Sequence, residues 1–254
     1  MKTFVLGATL IAVLCAVSPL QASSPEDVIL YPGKPGLMLI PYLGASVNLH
    51  NGTLMSSELG SRCCGFDGGT GIGFLAGART FIPWLEDWQL SPRIAVLQRG
   101  GTFTAEAIRL PIRGAGNALE HAVLEQTMTL SLSTLSLDGL VTYLLPDSRA
   151  YLLAGPALHL VMGSDVSSQE RIIDPAGVTF LDGTRSRSVI APTIEQSAGA
   201  SLHVRLGAGT WLRVPAGFEI NPEVLVDLPV TRATSDGTWK VYGIQLNIGV
   251  GFEL

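Results

Sequence analysis

Residues 241–254 read Val241-Tyr242-Gly243-Ile244-Gln245-Leu246-Asn247-Ile248-Gly249-Val250-Gly251-Phe252-Glu253-Leu254. Tyr242, Ile244, Leu246, Ile248, Val250, Phe252 and Leu254 share one parity; Gly243, Gln245, Asn247, Gly249, Gly251 and Glu253 share the other. A period of two is that of a β-strand with unlike faces. Here one face is wholly apolar, while the other is built of glycine, amide and acid.

The same contrast recurs upstream. Leu37, Leu39, Leu43, Ala45, Val47 and Leu49 oppose Tyr42, Gly44, Ser46, Asn48 and His50. Ile72, Phe74, Ala76, Ala78 and Ile82 oppose Gly69, Gly71, Gly73, Gly77 and Arg79. Trp88, Leu90, Ile94 and Val96 oppose Gln89, Ser91 and Arg93, with Gly100 to Phe103 as an extension and Pro92 at an imperfect ladder position. Further on, Leu152, Ala154, Leu158, Leu160 and Met162 oppose Gly155, Ala157 and His159. Ile194, Ala198, Ala200, Leu202, Val204 and Leu206 oppose Glu195, Ser197, Gly199, Ser201, His203 and Arg205. Ile220, Val224, Val226 and Leu228 oppose Glu219, Asn221, Glu223 and Asp227.

Residues 122–145 change phase midway. Leu124, Met128, Leu130 and Leu132 share one parity, and Leu135, Leu137, Val141 and Tyr143 the other. A β-bulge near Ser133-Thr134 is expected, since a hairpin there would make the strand count odd.

Connection lengths alternate. Short ones fall at Pro83 to Asp87, Pro146 to Arg149 and Gly207 to Gly209; long ones fall at Gly52 to Gly68, Arg99 to Glu120 and Gly163 to Pro192, with Thr231 to Gly237 intermediate. Short turns at one rim and long loops at the other are barrel topology, with both termini at the short-turn rim.

The chain of 254 residues carries a net charge of −5 and 15% charged residues, fits one domain, and has a mean hydropathy of +0.38. After the N-terminus no apolar run approaches the roughly 20 residues of a transmembrane helix, so the hydrophobicity belongs to strands. A soluble sandwich also alternates. Three features favour a membrane barrel: uncharged outward faces, charges and glycines on the opposite faces, and a last strand with an aromatic residue near its end. In lipid every backbone polar group must be paired, which requires closure. The expected fold is all-β, a transmembrane antiparallel up-and-down barrel of eight strands.

Lys2, the apolar run Phe4 to Val17 and Leu20-Gln21-Ala22 read as a signal peptide over 1–22. Residues 23–36 then form a periplasmic segment and 37–254 the barrel. Cys15 raises a lipoprotein alternative, against which Leu14 argues. Cys63 and Cys64 are adjacent, too few for a structural zinc site, and a vicinal disulfide between them stays open.

At Cys63-Cys64-Gly65-Phe66-Asp67-Gly68-Gly69-Thr70-Gly71-Ile72-Gly73 the chain resembles the bacterial outer-membrane β-barrel domain family, related to OmpA-type and porin-family small barrels. The resemblance continues through Ser91-Pro92-Arg93, Ala154-Gly155-Pro156, Asn221-Pro222-Glu223 and Trp239 to Leu254. It implies an eight-stranded barrel spanning the outer membrane, with no activity common to the family.

The inward residues Arg79, Arg93, Glu195, His203, Arg205, Glu219, Glu223 and Asp227 are expected to form a polar network filling the lumen, a narrow pore being the alternative. His50, His121, His159 and His203 show no recognised catalytic motif, and Glu120 and His121, adjacent on a strand, point to opposite faces. Gly69-x-Gly71-x-Gly73 lacks the third glycine and the helix of a nucleotide fingerprint. Asn51-Gly52-Thr53, Asp182-Gly183 and Asp236-Gly237 read as turns. Trp88, Trp211, Trp239 and Tyr242 belong either to interfacial belts or to the core. No basic cluster points to nucleic acid.

The expected function is therefore a structural or interaction barrel of the bacterial cell outer membrane. It presents long extracellular loops to a ligand or protein, needs no cofactor or metal, and has outer-membrane lipid and the barrel-insertion machinery as partners. A small porin is the alternative, with a surface enzyme after it.

Overall fold

The computed structural model describes residues 37–55, 65–105, 108–113, 119–189, 199–214, 218–233 and 238–253. The signal peptide, the 23–36 segment, Cys63, Cys64, Glu195 and the Asp236-Gly237 turn lie outside the described residues. All regular structure among them is β: β1 (Met38–Met55), β2 (Gly65–Pro83), β3 (Trp88–Gln98), β4 (Gly101–Thr104), β5 (Ile108–Arg113), β6 (Leu119–Leu144), β7 (Ala150–Asp174), β8 (Ser186–Val189), β9 (Ala200–Thr210), β10 (Leu212–Arg213), β11 (Glu219–Pro229) and β12 (Lys240–Glu253).

Every pairing is antiparallel, and the sheet closes because β1 pairs with β2 on one side and β12 on the other. Met38 lies opposite both Phe81 and Glu253, which puts the two ends of the barrel at one rim. The ring has eight walls: β1, β2, β3 with β4, β6, β7, β9, β11 and β12. β3 and β4 share one register on β6, and the Arg99 amide donates to the Leu132 carbonyl between them, so they form a single wall.

Outward residues are those read as apolar. Leu43, Ile72, Phe74, Leu246 and Ile248 are among the most exposed large side chains, while Asn48, Arg79, Arg93, Arg205 and Asp227 are buried inside. No outward residue between the rims of the eight walls is charged among the described residues. Pro41, Pro92, Pro156 and Pro222 also point outward, each on a strand running away from the short-turn rim. Pairing lapses beside the first three: between Leu39 and Tyr42, between Arg79/Arg93 and Ile82/Leu90, and between Asp138/Ala157 and Val141/Ala154. Proline has no N–H to donate there.

The phase change in residues 122–145 has a different cause from the one expected. β6 is one unbroken strand with the even-numbered side chains inward throughout. The register does shift at Ser133/Thr134, but the extra residue is Met162 on β7. What switches on β6 is chemistry. From Thr134 to Leu144 the inside holds Thr134, Ser136, Asp138 and Thr142 and the outside Leu135, Leu137 and Val141. Beyond Ser133 the inside holds Leu132, Leu130 and Met128, and the outside Ser131, Thr129 and Thr127. The first pattern suits lipid outside; the second is that of a water-soluble sheet. The inversion marks the membrane boundary, and Thr134–Leu144 has the length of about ten residues that a tilted spanning strand needs.

Beyond that boundary, regular strands replace expected loops. β7 runs through the start of the supposed loop 163–192 to Asp174, and β8 returns along it. β4 is the extension expected at Gly100 to Phe103, while β5 lies within the supposed loop 99–120; both pair with β6. The result is a four-stranded flap in the order β5-β6-β7-β8, carrying about 50 Å of strand past the boundary on β6. At its tip the Asp182-Gly183 turn is pinned by the Thr184 amide and hydroxyl on Asp182, at 2.9 and 2.7 Å, which hold that carboxyl below its usual pKa.

Two other turn expectations are corrected. β9 runs through Gly207 and Gly209 to Thr210, because these glycines answer close approaches: a Cβ at Gly209 would meet the Tyr151 ring, and one at Gly207 would meet Leu225. Asn51-Gly52 does not reverse the chain either. β1 continues past it to Met55, with Gly52 at φ +123° where pairing with β2 becomes irregular.

The Gly69-x-Gly71-x-Gly73 stripe lies under the β3–β4 junction, where a Cβ at Gly73 would overlap the Gln98 carbonyl and one at Gly71 the Gly100 carbonyl. Gly73→Val is therefore expected to destabilise the barrel by about 1–3 kcal/mol, read as the urea midpoint in detergent micelles. Gly139→Ala, with nothing near its Cβ position, is expected to leave that midpoint in place. Leu137→Arg should cost about 2–4 kcal/mol on the lipid face. Thr129→Arg, past the inversion, should stay within about 0.5 kcal/mol. Equal costs at the two sites would refute the boundary.

Candidate functional site: the filled lumen

The lumen is layered. At the short-turn rim Met38, Ile40, Phe81, Leu140, Tyr151, Leu153, Trp211 and Leu225 form an apolar layer. At the long-loop rim Phe66, Phe103, Met128, Leu130, Leu132, Trp239 and Val241 form another. Of the four aromatic residues in question, Trp211 and Trp239 are thus core. Trp88, outward, packs on Tyr143 at 4.8 Å between centroids, as an interfacial belt requires, and Tyr242 also faces outward.

Between the layers lie two ionic clusters. In the first, Glu223 on β11 binds Arg79 of β2, Arg93 of β3 at 2.6 Å, and the Tyr151 hydroxyl at 2.9 Å. That hydroxyl accepts from Arg79 Nη2 at 2.9 Å and has Asn221 Oδ1 at 3.0 Å. The Arg79 guanidinium also lies over the Phe81 ring, 4.7 Å from its centroid. The glutamate therefore ties four strands together across the lumen.

In the second cluster Asp227 is central. Its Oδ2 meets Arg99 at 3.1 Å, His159 Nε2 at 3.4 Å and Arg205 at 3.5 Å, while its Oδ1 meets His203 Nδ1 at 3.1 Å. Arg205 is paired as well with Asp138, which accepts from Ser136 at 2.6 Å. Arg99 donates to His159 Nδ1 and to the Val241 carbonyl, both at 3.0 Å. Four arginines thus face three carboxylates among the buried described residues. In so low a dielectric each of these charges requires its partners.

Of the residues expected in the network, Arg79, Arg93 and Glu223 meet in the first cluster, and His203, Arg205 and Asp227 in the second. Glu219 does not join: it is part-exposed at the short-turn rim, 3.8 Å from Arg213. Asp138, Tyr151, Arg99 and His159 were missing from the expectation. The first two sit at inward parity and are legible from alternation, whereas Arg99 falls at the start of the connection read over Arg99 to Glu120.

His50 belongs to the long-loop apolar layer. Its Nδ1 accepts from Trp239 Nε1 at 3.2 Å, Nε2 faces the Gly100 carbonyl at 3.1 Å, and the ring stacks on Trp239. Both nitrogens are thereby committed. His121 and Glu120 are exposed on the flap.

His159, His203 and Asp227 bring three ligand atoms within 4.8 Å of one another, a spacing that suits a divalent ion. Both Arg99 and Arg205 already neutralise the Asp227 carboxylate and face His159. The charge chemistry therefore disfavours a cation there. A cavity of about 20 Å³, room for one water, adjoins this cluster beneath Trp239.

No family model matches the sequence, and no curated protein matches it. Solved structures with related shape include bacterial outer-membrane proteins. Ail, the attachment invasion locus protein of Yersinia pestis, solved in complex with the heparin analogue sucrose octasulfate, is 11% identical with a TM-score of 0.33, covering 85% of this chain and 99% of that one. Neisserial surface protein A is 12% identical with a TM-score of 0.31, covering 86% and 99%. The outer membrane protease OmpT of Escherichia coli is 10% identical with a TM-score of 0.31, covering 88% and 98%. At such values the fold and function of this chain rest on its own geometry.

Glu223→Gln leaves Arg79 and Arg93 without their shared anion and is expected to cost about 3–5 kcal/mol in urea unfolding from micelles. Glu219→Gln, on an exposed pair, should change stability by no more than about 0.5 kcal/mol. A reversed order would mean that the lumen charges are solvated.

Proposed function

We propose that this chain is an outer-membrane β-barrel of the bacterial envelope whose lumen is a filled strut rather than a conduit, and whose function is to hold the β5–β8 flap out from the cell surface. The carrying observation is the layered lumen, in which ion pairs bridge the walls between two apolar layers. An eight-stranded ring is about wide enough for its own side chains, and here those side chains are locked to one another.

The flap supports an interaction role. It is a regular sheet with polar Thr127, Thr129 and Ser131 on one face of β6, edged by the short strands β5 and β8, and its arginines Arg109, Arg113, Arg171, Arg185 and Arg187 are matched by the acids Glu120, Glu125, Asp165, Glu170, Asp174 and Asp182. Such a mixed-charge surface suits a polar extracellular ligand. Lipid around the uncharged belt and the barrel-insertion machinery are the remaining partners in this reading.

Reconstitution into planar bilayers tests it. The filled lumen is expected to give no single-channel steps at 100 mV in 1 M KCl, with the boiled and unboiled protein differing in gel mobility. Steps from the heat-modifiable form would overturn the strut in favour of a small porin.

A further inference from the structure

The long-loop apolar layer contains a polar contact that neither apolar packing nor the ionic clusters require. Trp239 Nε1 donates to His50 Nδ1 at 3.2 Å, with both side chains buried. We propose that this pair is an acid-released latch: neutral His50 holds the Trp239 indole over the lumen, and protonated His50 lets it go.

Elementary chemistry fixes the roles of the ring nitrogens. An indole N–H only donates, so Nδ1 of His50 carries no proton. The proton is then on Nε2, which donates to the Gly100 carbonyl at 3.1 Å. The neutral imidazole satisfies both partners. An imidazolium has an N–H on each nitrogen, and the one on Nδ1 meets the indole N–H head-on. Its charge finds no counter-ion nearby either. Among the described residues the charged group facing His50 is Arg99, from the β3–β4 junction, and it has the same sign. At this level β2 contributes Gly69, β4 Gly101 and Phe103, and β12 Trp239 and Val241. His159 and His203 line the cavity beneath Trp239, and Asp227 behind them is already held by Arg99 and Arg205.

The backbone makes room for the pair. A Cβ at Gly101 would meet the His50 ring at 2.5 Å, and one at Gly52 would meet the Thr238 carbonyl at 2.5 Å and Trp239 Cα at 2.7 Å. Gly52 has φ +123°, a conformation that side chains disfavour. The two rings stack with centroids 5.5 Å apart and planes inclined by 17°, and Phe103 packs edge-on against His50 at 5.0 Å. Packing alone needs no acceptor for the indole N–H; the imidazole adds a bond that depends on a proton.

What release does follows from what Trp239 covers. Its indole lines the 20 Å³ cavity with Arg99, His159 and His203. Its carbonyl accepts from the Ala233 amide at 2.9 Å, which ties the start of β12 to the chain that follows β11. Withdrawal of the indole admits water from the long-loop rim to the second ionic cluster. The released form binds the extra proton and the latched form does not, so the latch holds at neutral pH and opens as the pH falls.

The test uses the full barrel in micelles, with nitrogen-15 in the indoles of its four tryptophans, followed by NMR from about pH 7.5 to about pH 3.5. Trp239→Phe identifies the Trp239 cross-peak. At neutral pH the Trp239 indole proton is expected to exchange with solvent at least about 10-fold more slowly than that of exposed Trp84. In acid the two rates should converge to within about 2-fold, reversibly, with the heat-dependent mobility shift retained. His50→Asn, whose Oδ1 replaces Nδ1 as acceptor and does not titrate, should keep the slow exchange throughout. Slow exchange that persists in the folded wild type at the lowest pH, or that is lost equally in His50→Asn, would overturn the latch. If His50→Asn does not fold, Trp239→Phe decides. Without the indole donor, His50 Cε1–H should titrate with at least about 3-fold higher proton affinity than in the wild type, and an equal midpoint would overturn the latch. None of these readouts depends on conductance, so the filled lumen stands or falls separately.

Discussion

Closing a sheet in lipid satisfies every backbone N–H and C=O, and in doing so creates an enclosed space that must itself be satisfied. In this chain the space is bridged by carboxylates. Glu223 and Asp227, both on β11, reach arginines from β2, β3, the β3–β4 junction and β9, so one strand's side chains hold opposite walls at fixed distances. Losing Glu223 would leave Arg79 and Arg93 without a carboxylate, and losing Asp227 would leave Arg99 without one, at a cost larger than any one apolar contact. The two apolar layers keep water from competing for these pairs.

The barrel also contains two solvents' worth of design in one strand. Below Ser133, β6 is inverted relative to a soluble protein; above it, the same strand is conventional. Because the alternation itself never changes parity, the strand passes from lipid to water without a break, and the flap is a direct extension of the wall. The β6–β7 ladder runs from the barrel wall into the flap, so the two share one sheet.

Much of this was legible along the chain. Alternation gave the outward faces of seven walls and of the Thr134–Leu144 part of β6, because lipid tolerates no charge and the pleat admits only two faces. Glycines were less legible. Gly207 and Gly209 resemble a turn in sequence, yet they lie within β9 because their neighbours on the flanking strands, Leu225 and Tyr151, crowd them. Loops of 99–120 and 163–192 were misread for a related reason: a strand leaving the membrane exchanges its apolar and polar faces, so a search for outward apolar residues stops at the boundary.

What the sequence by itself determined was membership of each side chain in an inner or outer set, since that depends only on parity and on the contrast between lipid and lumen. Which inner residues meet was decided by closure. Arg79 and Glu223 are 144 positions apart and Trp239 and His50 are 189 apart. His203 comes within 3.1 Å of Asp227 only because β9 and β11 are neighbours in the ring. The stagger between strands sets the height of each charge in the barrel, and that stagger is a property of the whole cycle of registers, absent from any single strand.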